Sequence, residues 1–579
     1  MRGCEVKCKV CQRNSIRPEE SEAWPGVVHP SVPIPGSRGI RHGTRLARLI
    51  LPFVGLLLLS LQLQATTYTV KAGGGGDFTG IQACATAMAS GDTCTVYAGT
   101  YNEHVSLSAG AVGAYKTLQV NGTDVVYVYD FTISSHNKII GFYIQNPSSP
   151  NSHDCVDIGN AATDIYITSN NLYACGSHAM ISGTSSSYTS SYVYIQNNTF
   201  SYPCSTSSSP NVCAALVVLG DHHLIENNDI SHTSDGVTEY AGSHNIFRRN
   251  TFHDNNSSDC GSNSGNCHID FIATEPSTPT QYNLYEENTE LNNLGANGHG
   301  YLSQSDVCSS QCYKLIIRFN IGAHVGAGGI LDDNANNSSV PGFSYVKSYN
   351  NTWVDYNNYS GNQLYGGTNG FTHNSTNGAE INDLFYYPES LANFNPYYTD
   401  ASSAPFSASN NLAWCTGTPC SIHGHVYGSG NFTDDPGNIK ADPMFVSYAG
   451  NNFQLSTGSP AIGAGTYLTT VASGDSGSGT TLVVNDASFF QDGYGLQGVN
   501  ADCIAVTTVT KLVCITAVNY QTNTLTLASS ITRSKGDPVW LYSDSTGRQV
   551  LVGKAPNIGA TFDAGSPPAP PTGLTAVPQ

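Results

Sequence analysis

The stretch VYIQNNTF, residues 193–200, places a short alternating segment with β-branched residues before an Asn and an apolar residue. The same pattern returns along the middle of the chain. Its copies are IYITSNNLY (165–173), VYIQNNTF (193–200), LIENNDI (224–230), IFRRNTF (246–252), LYEENTEL (284–291), IIRFNI (316–321) and YVKSYNNTW (345–353). Segments this short, without a helical period, indicate β-strands. The chain is therefore predicted to be a repeat protein made of strands.

One Asn in each copy marks the size of the repeat. The markers are Asn171, Asn198, Asn228, Asn250, Asn288, Asn320 and Asn351, and their intervals range from 22 to 38 residues. A unit of this size cannot bury its apolar face alone, so successive units must stack as turns of a solenoid. Asn tolerates the left-handed backbone of a tight bend, and its amide both donates and accepts hydrogen bonds. Stacked Asn residues therefore predict a hydrogen-bonded ladder along the solenoid.

A second set of strands recurs once per turn and predicts a neighbouring parallel sheet. Its members are CVDI (155–158), HAMI (178–181), ALVVL (215–219), GVTEY (236–240), HIDFI (268–272), GYLS (300–303) and GGILDD (328–333). The alignment of these copies is open by one residue. Such a shift would move every side chain to the other face of the sheet.

Composition excludes two classes of protein. The 579 residues include 23 Lys and Arg against 42 Asp and Glu, for a net charge of −19, whereas a nucleic-acid binder needs dense basic residues to neutralise phosphates. Aromatic residues make up 10% of the chain, and disordered chains have few of them. We expect a folded protein without a nucleic-acid partner.

The N-terminus has the pattern of a secretion signal. Four arginines between Arg38 and Arg48 precede an apolar run at 49–61, and the small residue Ala65 follows. We predict cleavage after Ala65, export, and no membrane contact afterwards. A permanent anchor is the alternative, although the run is shorter than the roughly 20 residues of a membrane span. Residues 1–65 hold nine basic and four acidic residues, so cleavage would change the net charge to −24.

The cysteines after Ala65 fall into near neighbours, which predicts seven local disulfides in an oxidising compartment. A zinc site would favour CxxC sets or closely spaced Cys and His, and no pair has the CxxC spacing. The pairs are Cys84/Cys94, Cys155/Cys175, Cys204/Cys213, Cys260/Cys267, Cys308/Cys312, Cys415/Cys420 and Cys503/Cys514.

Both ends of the repeat region carry further motifs. The opening YTVKAGGGGDFTGIQACATAMASGDTCTVYAGTYNEHV (68–105) contains a Gly-rich turn, a short amphipathic segment near Ile81 to Met88, and a Gly-x-Tyr-x-Glu sequence that ends at Glu103. With this opening and the closing segments ADPMFVSYAGNNFQLSTGSPAIGAGT (441–466) and APNIGATF (555–562), the chain resembles the right-handed parallel β-helix family, often called pectate-lyase-like. The resemblance implies an all-β right-handed solenoid with a short N-terminal capping helix. It does not choose an activity, since this scaffold hosts lyases, hydrolases, epimerases, esterases and adhesive proteins.

Between the two closing segments lies a stretch with alternating strands and Gly or Asp/Asn turns, which predicts a small inserted β domain. The tail is Pro-rich and reads as a linker. The predicted organisation is a leader (1–65), the β-helix (66–466), the insertion (467–552), a closing β-helix segment (553–563) and the linker (564–579).

Polar residues in the second strand set suggest a groove on one side of the solenoid. Stacking at about 4.8 Å per turn would bring together the residues that we predict to be catalytic. They are Asp235, Glu239, His268, Asp270, His299 and Asp332. Carboxylates beside His could act as general acid and base in glycoside cleavage, while Asp270, Asp332 and Asp333 could instead hold Ca²⁺. Solvated turn residues are the structural alternative.

Basic residues that could neutralise an acidic substrate are few. Arg249, Lys347 and the polar Asp333 are our candidates for substrate contacts. Arg248 and Arg318 lie two residues before a marker Asn, where Gln196, Glu226 and Glu286 occupy the same place in other turns. We expect these two arginines to pair with the neighbouring carboxylates.

Taken together, the residues and the resemblance predict an exported, monomeric β-helix protein that binds or cleaves an extracellular polysaccharide, as a lyase or a hydrolase. Ca²⁺ is the one cofactor that the carboxylates suggest. A non-catalytic surface or adhesive module is the alternative function. Exposed aromatic residues could stack on sugar rings, with Trp353, Tyr356, Tyr359, Tyr386 and Tyr387 as the candidates.

Overall fold

The computed structural model describes the chain from residue 64 to residue 561, with internal gaps. The described ranges are 64–145, 154–175, 179–183, 190–202, 214–233, 235–256, 258–259, 269–274, 281–294, 298–304, 314–326, 328–333, 343–356, 368–371, 375–388, 394–417, 420–423 and 432–561. Cys204, Cys213, Cys260, Cys267, His268, Cys308, Cys312 and Tyr359 lie outside them.

Three parallel sheets form the solenoid. The first turns pass from sheet 1 directly to sheet 3, and from β6 onward the chain passes through sheet 1, sheet 2 and sheet 3 in that order. Sheet 1 contains β1 (Thr67–Val70), β2 (Thr93–Val96), β4 (Lys116–Val120), β6 (Asn137–Ile140), β9 (Thr163–Thr168), β12 (Ser190–Gln196), β15 (Leu224–Glu226), β18 (Ile246–Arg248), β21 (Leu284–Glu286), β24 (Ile316–Arg318), β27 (Lys347–Tyr349), β30 (Gly378–Ile381) and β33 (Phe406–Ser409). Each strand pairs in parallel with its equivalent in the next turn.

Sheet 2 contains β7 (Tyr143–Ile144), β10 (Asn171–Tyr173), β13 (Thr199–Ser201), β16 (Asp229–Ser231), β19 (Thr251–His253), β22 (Thr289–Leu291), β25 (Ile321–Val325), β28 (Thr352–Tyr356), β31 (Leu384–Tyr387), β34 (Leu412–Cys415) and β35 (Ile439–Lys440). Sheet 3 contains β3 (Gly99–Leu107), β5 (Val126–Ile133), β8 (Val156–Ile158), β11 (Ala179–Gly183), β14 (Ala214–Asp221), β17 (Val237–Ala241), β20 (Ile272–Thr274), β23 (Tyr301–Gln304), β26 (Ile330–Asp333), β29 (Asn369–Phe371) and β32 (Tyr397–Thr399). The predicted parallel β-solenoid is confirmed, and its right-handed sense stays a prediction.

The Asn ladder lies at the bend between sheets 1 and 2. Asn198 donates through its backbone N to Oδ1 of Asn228 at 3.0 Å, and through Nδ2 to the same oxygen at 3.1 Å and to the carbonyl of Ile167 at 2.9 Å. Equivalent bonds continue through Asn250, Asn288, Asn320 and Asn351. The predicted ladder exists, but its first marker was wrong by one residue: Asn170 is the buried member, while Asn171 begins β10.

A short helix caps the N-terminal end. The helix α1 (Ile81–Ala87) begins where the carboxylate of Glu103 accepts the backbone N–H groups of Ile81 and Gln82, at 3.1 and 2.7 Å. A Cβ on Gly80 would lie 2.9 Å from that carboxylate, so a larger residue there would displace the capping side chain of Glu103. The predicted capping helix is confirmed. In the described part of the chain, no helix has the length and apolar character needed to cross a bilayer.

Four of the seven predicted disulfides lie within the described residues, and all four are present. They are Cys84–Cys94, Cys155–Cys175, Cys415–Cys420 and Cys503–Cys514. The other three predicted pairs fall outside the described residues.

The C-terminal part adds two antiparallel elements. A hairpin of β36 (Phe445–Ser447) and β37 (Asn452–Leu455) packs on sheet 2 through Phe445 and Phe453. The stretch that we predict to be inserted holds a six-stranded antiparallel sheet of β38 (Thr469–Thr470), β39 (Gly477–Val483), β40 (Cys503–Val506), β41 (Leu512–Asn519), β42 (Thr524–Arg533) and β43 (Pro538–Ser543). The described residues also contain the short 3-10 turns Ala401–Ser403 and Phe432–Asp434.

This antiparallel sheet covers the outer face of sheet 1, and the predicted inserted stretch 467–552 that contains it is called the insertion below. The expected pairing of Glu226, Arg248, Glu286 and Arg318 is present, since these residues are neighbours in register. Arg318 is fully buried and makes a two-pronged contact with Asp502 of the insertion, at 2.8 Å for each bond. The row of charges therefore fastens the insertion to the solenoid instead of facing water.

Candidate functional site

Asp235, Asp270 and His299 occupy equivalent positions on three successive turns. Each lies two residues before the start of a sheet 3 strand, namely β17, β20 and β23. The first residues of these strands, Val237, Ile272 and Tyr301, are neighbours in the parallel register. The polar side chains therefore form a row along the solenoid axis, which we call the acid–histidine stack. The structure brings together three of the six residues that we predict to be catalytic.

Hydrogen bonds connect the stack. The backbone N of Asp270 donates to Oδ1 of Asp235 at 3.4 Å, and the backbone N of His299 donates to Oδ1 of Asp270 at 2.7 Å. The same Oδ1 lies 3.0 Å from Nδ1 of His299. Because an ionised carboxylate can only accept, Nδ1 of His299 is the donor to Asp270, and in the neutral imidazole Nε2 then carries the lone pair.

Nε2 of His299 is buried and has no hydrogen-bond partner within the described residues. The side chains of His299 and Asp270 are 5% and 2% exposed. Gly328 occupies the next position of the stack, and a Cβ there would already contact Cδ2 of His299 at 3.4 Å. The imidazole edge therefore faces a position that has no side chain. Buried polar atoms are nearly always bonded, so this nitrogen marks a place where chemistry could occur.

Glu290 lies beside the stack, inside the solenoid. It accepts hydrogen bonds from Asn293 Nδ2 at 3.0 Å and from the Tyr356 hydroxyl at 2.8 Å. Burial raises the pKa of Glu290 to about 8, and the negative charge of Asp270 adds to the shift. A Cβ on Gly300 would lie 2.8 Å from Oε2 of Glu290, so this carboxyl borders the residue that follows His299. Glu290 is therefore largely protonated at neutral pH.

Glu290 was not among the predicted site residues, although a signal for it is present in the sequence. Glu290 pairs in register with Phe252, and the same place in other copies holds Phe200 or Ile230. A single Glu at an otherwise apolar position of a repeat indicates a buried carboxyl.

For the remaining predicted catalytic residues, the structure gives at most the backbone position. The backbone register sets Glu239 beside Thr274 and sets Asp332 beside Ser303, all in sheet 3. Asp333 lies beside Gln304 in the same sheet. The side chains of Glu239, Asp332 and Asp333 and the whole of His268 are outside what the structure describes. Their roles stay predictions.

The two predicted substrate-binding cations lie on the other side of the solenoid. Arg249 follows β18 of sheet 1, is 38% exposed and forms an ion pair with Glu226. Lys347 belongs to β27, is 2% exposed, and its Nζ contacts Asp486 of the insertion at 2.8 Å. The insertion thus encloses Lys347, and neither residue belongs to sheet 3.

The predicted aromatic contacts are mainly core residues. Trp353 and Tyr356 are each 2% exposed, and Tyr387 is 4% exposed. Tyr386 packs against Phe445 of the hairpin. Among the described side chains, no group of three or more His, Cys, Asp or Glu residues is arranged to hold a metal ion. The described residues thus give no test of calcium binding at Asp270, Asp332 and Asp333.

No family model matches this chain, and no curated protein matches it. Solved structures with similar folds include a PL6 family alginate lyase, AlyGC, at 12% identity and a TM-score of 0.35, covering 59% of this chain and 51% of that one. They include PfbA, a surface adhesin of Streptococcus pneumoniae, at 11% identity and a TM-score of 0.33, covering 61% and 88% of the two chains. They also include the pectate lyase Pel9A, at 13% identity and a TM-score of 0.30, covering 70% and 92%. This chain spans about half the length of the alginate lyase.

Proposed function

We propose that this chain is an exported protein that cleaves an extracellular polysaccharide at the acid–histidine stack. The observation that carries the proposal is the unpartnered Nε2 of His299, held in its basic tautomer by Asp270. A base oriented by a carboxylate is the arrangement that proton transfer requires.

In this proposal His299 accepts a proton at Nε2 while Asp270 stabilises the imidazolium that forms. In a lyase the proton comes from the carbon beside a uronate carboxylate, and a C=C bond forms as the glycosidic C–O bond breaks. In a hydrolase it comes from the water that attacks the anomeric carbon as the glycosidic C–O bond breaks. In both cases the departing oxygen takes a proton from solvent water. Positioned proton transfer of this kind contributes roughly 10²–10⁴-fold to a rate. For an acidic substrate we further propose Ca²⁺, with Asp332 and Asp333 as its ligands, and a chelator would then abolish the activity. Asp270 was also a predicted ligand, but its carboxylate is bonded to His299 and lies four residues from Asp332 in the strand register.

Export is part of the proposal. Four disulfides are present in the described residues, and such bonds persist in oxidising compartments. Release by cleavage after Ala65 is the proposed route, with a permanent anchor as the alternative. N-terminal sequencing of the protein recovered from culture medium would separate the two.

The burial of the stack favours a second candidate, a non-catalytic glycan-binding or adhesive module. Asp270 and His299 are almost fully enclosed, and a substrate must reach Nε2 for cleavage to occur. In that candidate the stack is a structural element and the surface does the binding.

A panel of acidic and neutral polysaccharides tests both candidates. Ultraviolet absorbance of unsaturated products reports a lyase, and new reducing ends without that absorbance report a hydrolase. We expect one readout with wild type and none with His299→Ala, while Tyr467→Ala on the insertion serves as a folded control with full activity. Silence on both readouts together with retained glycan binding would support the adhesive candidate and overturn cleavage.

A further inference from the structure

The outer side of sheet 2 carries exposed rings on three successive turns. Tyr173 ends β10, Tyr202 follows β13 and His232 follows β16. Tyr173 is 45% exposed and Tyr202 is 36% exposed. We call these three residues the aromatic row. Exposed large rings at one place usually mark a binding surface, since water contact with them is unfavourable.

The rings contact one another along the solenoid axis. The ring centres of Tyr173 and Tyr202 are 5.7 Å apart in an edge-on arrangement. Tyr202 and His232 are parallel, with centres 4.4 Å apart. Tyr202 and His232 both take positive φ, at 56° and 54°, so the same bend presents both side chains. Packing between the rings fixes their positions before any ligand arrives.

Hydrogen-bonding groups continue the surface on the next turn. His253 lies 2.9 Å from both Asp229 and Asp254, and the bond to Asp229 is the main cause that raises its pKa to about 9. The side chain of Asp254 is 52% exposed. The protonated His253 neutralises one of these two carboxylates, and the patch stays acidic.

The same face of sheet 2 is closed further along. From β25 onward apolar residues of this face lie under the hairpin of β36 and β37, with Phe453 packed against Ala323 and Val354. Asn451 of the hairpin also bonds to His324 at 3.1 Å. Among the described residues, the hairpin thus covers the apolar part of this face and does not reach the aromatic row. If the residues of the aromatic row were aliphatic, they would need burial of the same kind.

We propose that the aromatic row and Asp254 form a binding surface for an uncharged polysaccharide, separate from the acid–histidine stack. The apolar C–H face of a pyranose would pack on the rings of Tyr173 and Tyr202, which removes apolar surface from water. The Asp254 carboxylate would accept hydroxyl hydrogen bonds beside them. The acidic patch disfavours a polyuronate through like-charge repulsion. This inference rests on the proposed class of partner, a polysaccharide, and not on cleavage.

Co-sedimentation with insoluble cellulose, β-1,3-glucan and mannan tests the surface, with soluble alginate and polygalacturonate as acidic comparators in gel-shift assays. We expect wild type to bind at least one neutral glycan. The double variant Tyr173→Ala/Tyr202→Ala should bind it about tenfold more weakly or worse, from the loss of two ring contacts. Tyr467→Ala, which removes another exposed tyrosine at 42% exposure, should bind normally.

His299→Ala should also bind normally, so that failure of the binding surface and failure of the proposed cleavage are told apart. Thermal unfolding of each variant shows whether it is folded, and the single variant Tyr173→Ala replaces the double variant if that one is not, with weaker binding expected from the loss of one exposed ring. Equal binding by wild type and a folded double variant would overturn the inference. Binding confined to the acidic polysaccharides, or to no glycan, would overturn it as well.

Discussion

The Asn ladder and the acid–histidine stack are built in the same way but differ in how completely their polar atoms are hydrogen-bonded. Both place equivalent polar side chains at bends on successive turns. In the ladder, Asn228 donates to Asn250 and to the carbonyl of Ile195, and its own oxygen accepts from Asn198. In the stack, Asp270 accepts twice from His299, but Nε2 of that His has no partner among the described residues. A repeated polar position is structural when every atom is bonded, and it is a candidate for chemistry when one is not.

Breaking the ladder should cost the most stability. Oδ1 of Asn250 accepts from N and Nδ2 of Asn228 at 3.0 and 2.9 Å. Asn250→Ala leaves those buried donors without an acceptor, and we expect the free energy of unfolding to fall by about 3 kcal/mol. Denaturant unfolding measures this, with Asn102→Ala at an exposed position of β3 as control. A loss of less than about 1 kcal/mol would show that water or a rearrangement replaces the ladder bonds.

Breaking the stack should instead cost activity. Asp270→Asn keeps the shape but no longer holds the proton on Nδ1 of His299. We expect kcat to fall by roughly 100-fold, as loss of an oriented base implies, with a stability change below about 1.5 kcal/mol. Steady-state kinetics and thermal unfolding give the two values. Asp124→Asn, far away near the N-terminal cap, is the matched carboxylate control and should keep full activity.

One position of the ladder holds a carboxylate where the other turns have an Asn amide. Asp383 takes an Asn position, where it accepts from N of Asn351, and it lies near the buried Glu380. Burial raises the pKa of both carboxyls, and the charge of Asp383 raises that of Glu380 further. Carboxyls with raised pKa favour folding at low pH, and this contribution is lost as pH rises above their ordinary values of 3.8 and 4.5.

Asp383→Asn should therefore stabilise the fold by about 1–2 kcal/mol at neutral pH, since it restores a ladder donor and removes one buried acid. The gain should shrink towards pH 4. Unfolding free energies across that range test this. A variant that is less stable than wild type at neutral pH would mean that the ionised pair is well accommodated.

Replacing Glu290 should have the smallest effect on the free energy of unfolding near neutral pH. Its pKa is raised to about 8 from 4.5, so its contribution to stability is complete below 4.5 and is lost as pH rises through about 8. Glu290→Gln keeps an acceptor for Tyr356 and cannot ionise. We expect the variant to differ little from wild type at pH 5 and to be the more stable of the two at pH 9. Parallel pH curves for the two proteins would contradict a buried neutral carboxyl.

Periodicity in the sequence was sufficient for the solenoid and its ladder, because each Asn recurs in fixed relation to a strand. The first marker failed at Asn170 and Asn171, where two adjacent Asn residues fit the pattern equally well. The stack was predictable in part, since Asp270 and His299 precede equivalent strands. Long-range contacts were not: Arg318 meets Asp502 from 184 residues away, and Lys347 meets Asp486. Alternation alone also could not separate the buried Trp353 from the exposed Tyr173.

The most direct test of the account is the activity of His299→Ala beside its stability. On the polysaccharide that wild type cleaves, we expect at least a 100-fold loss of turnover, part of it restored by added imidazole, in a protein that unfolds within about 2 kcal/mol of wild type. Imidazole restores a missing base but not a missing structural contact. Cleavage by His299→Ala at the wild-type rate would contradict the claim that the unpartnered nitrogen is the site of chemistry.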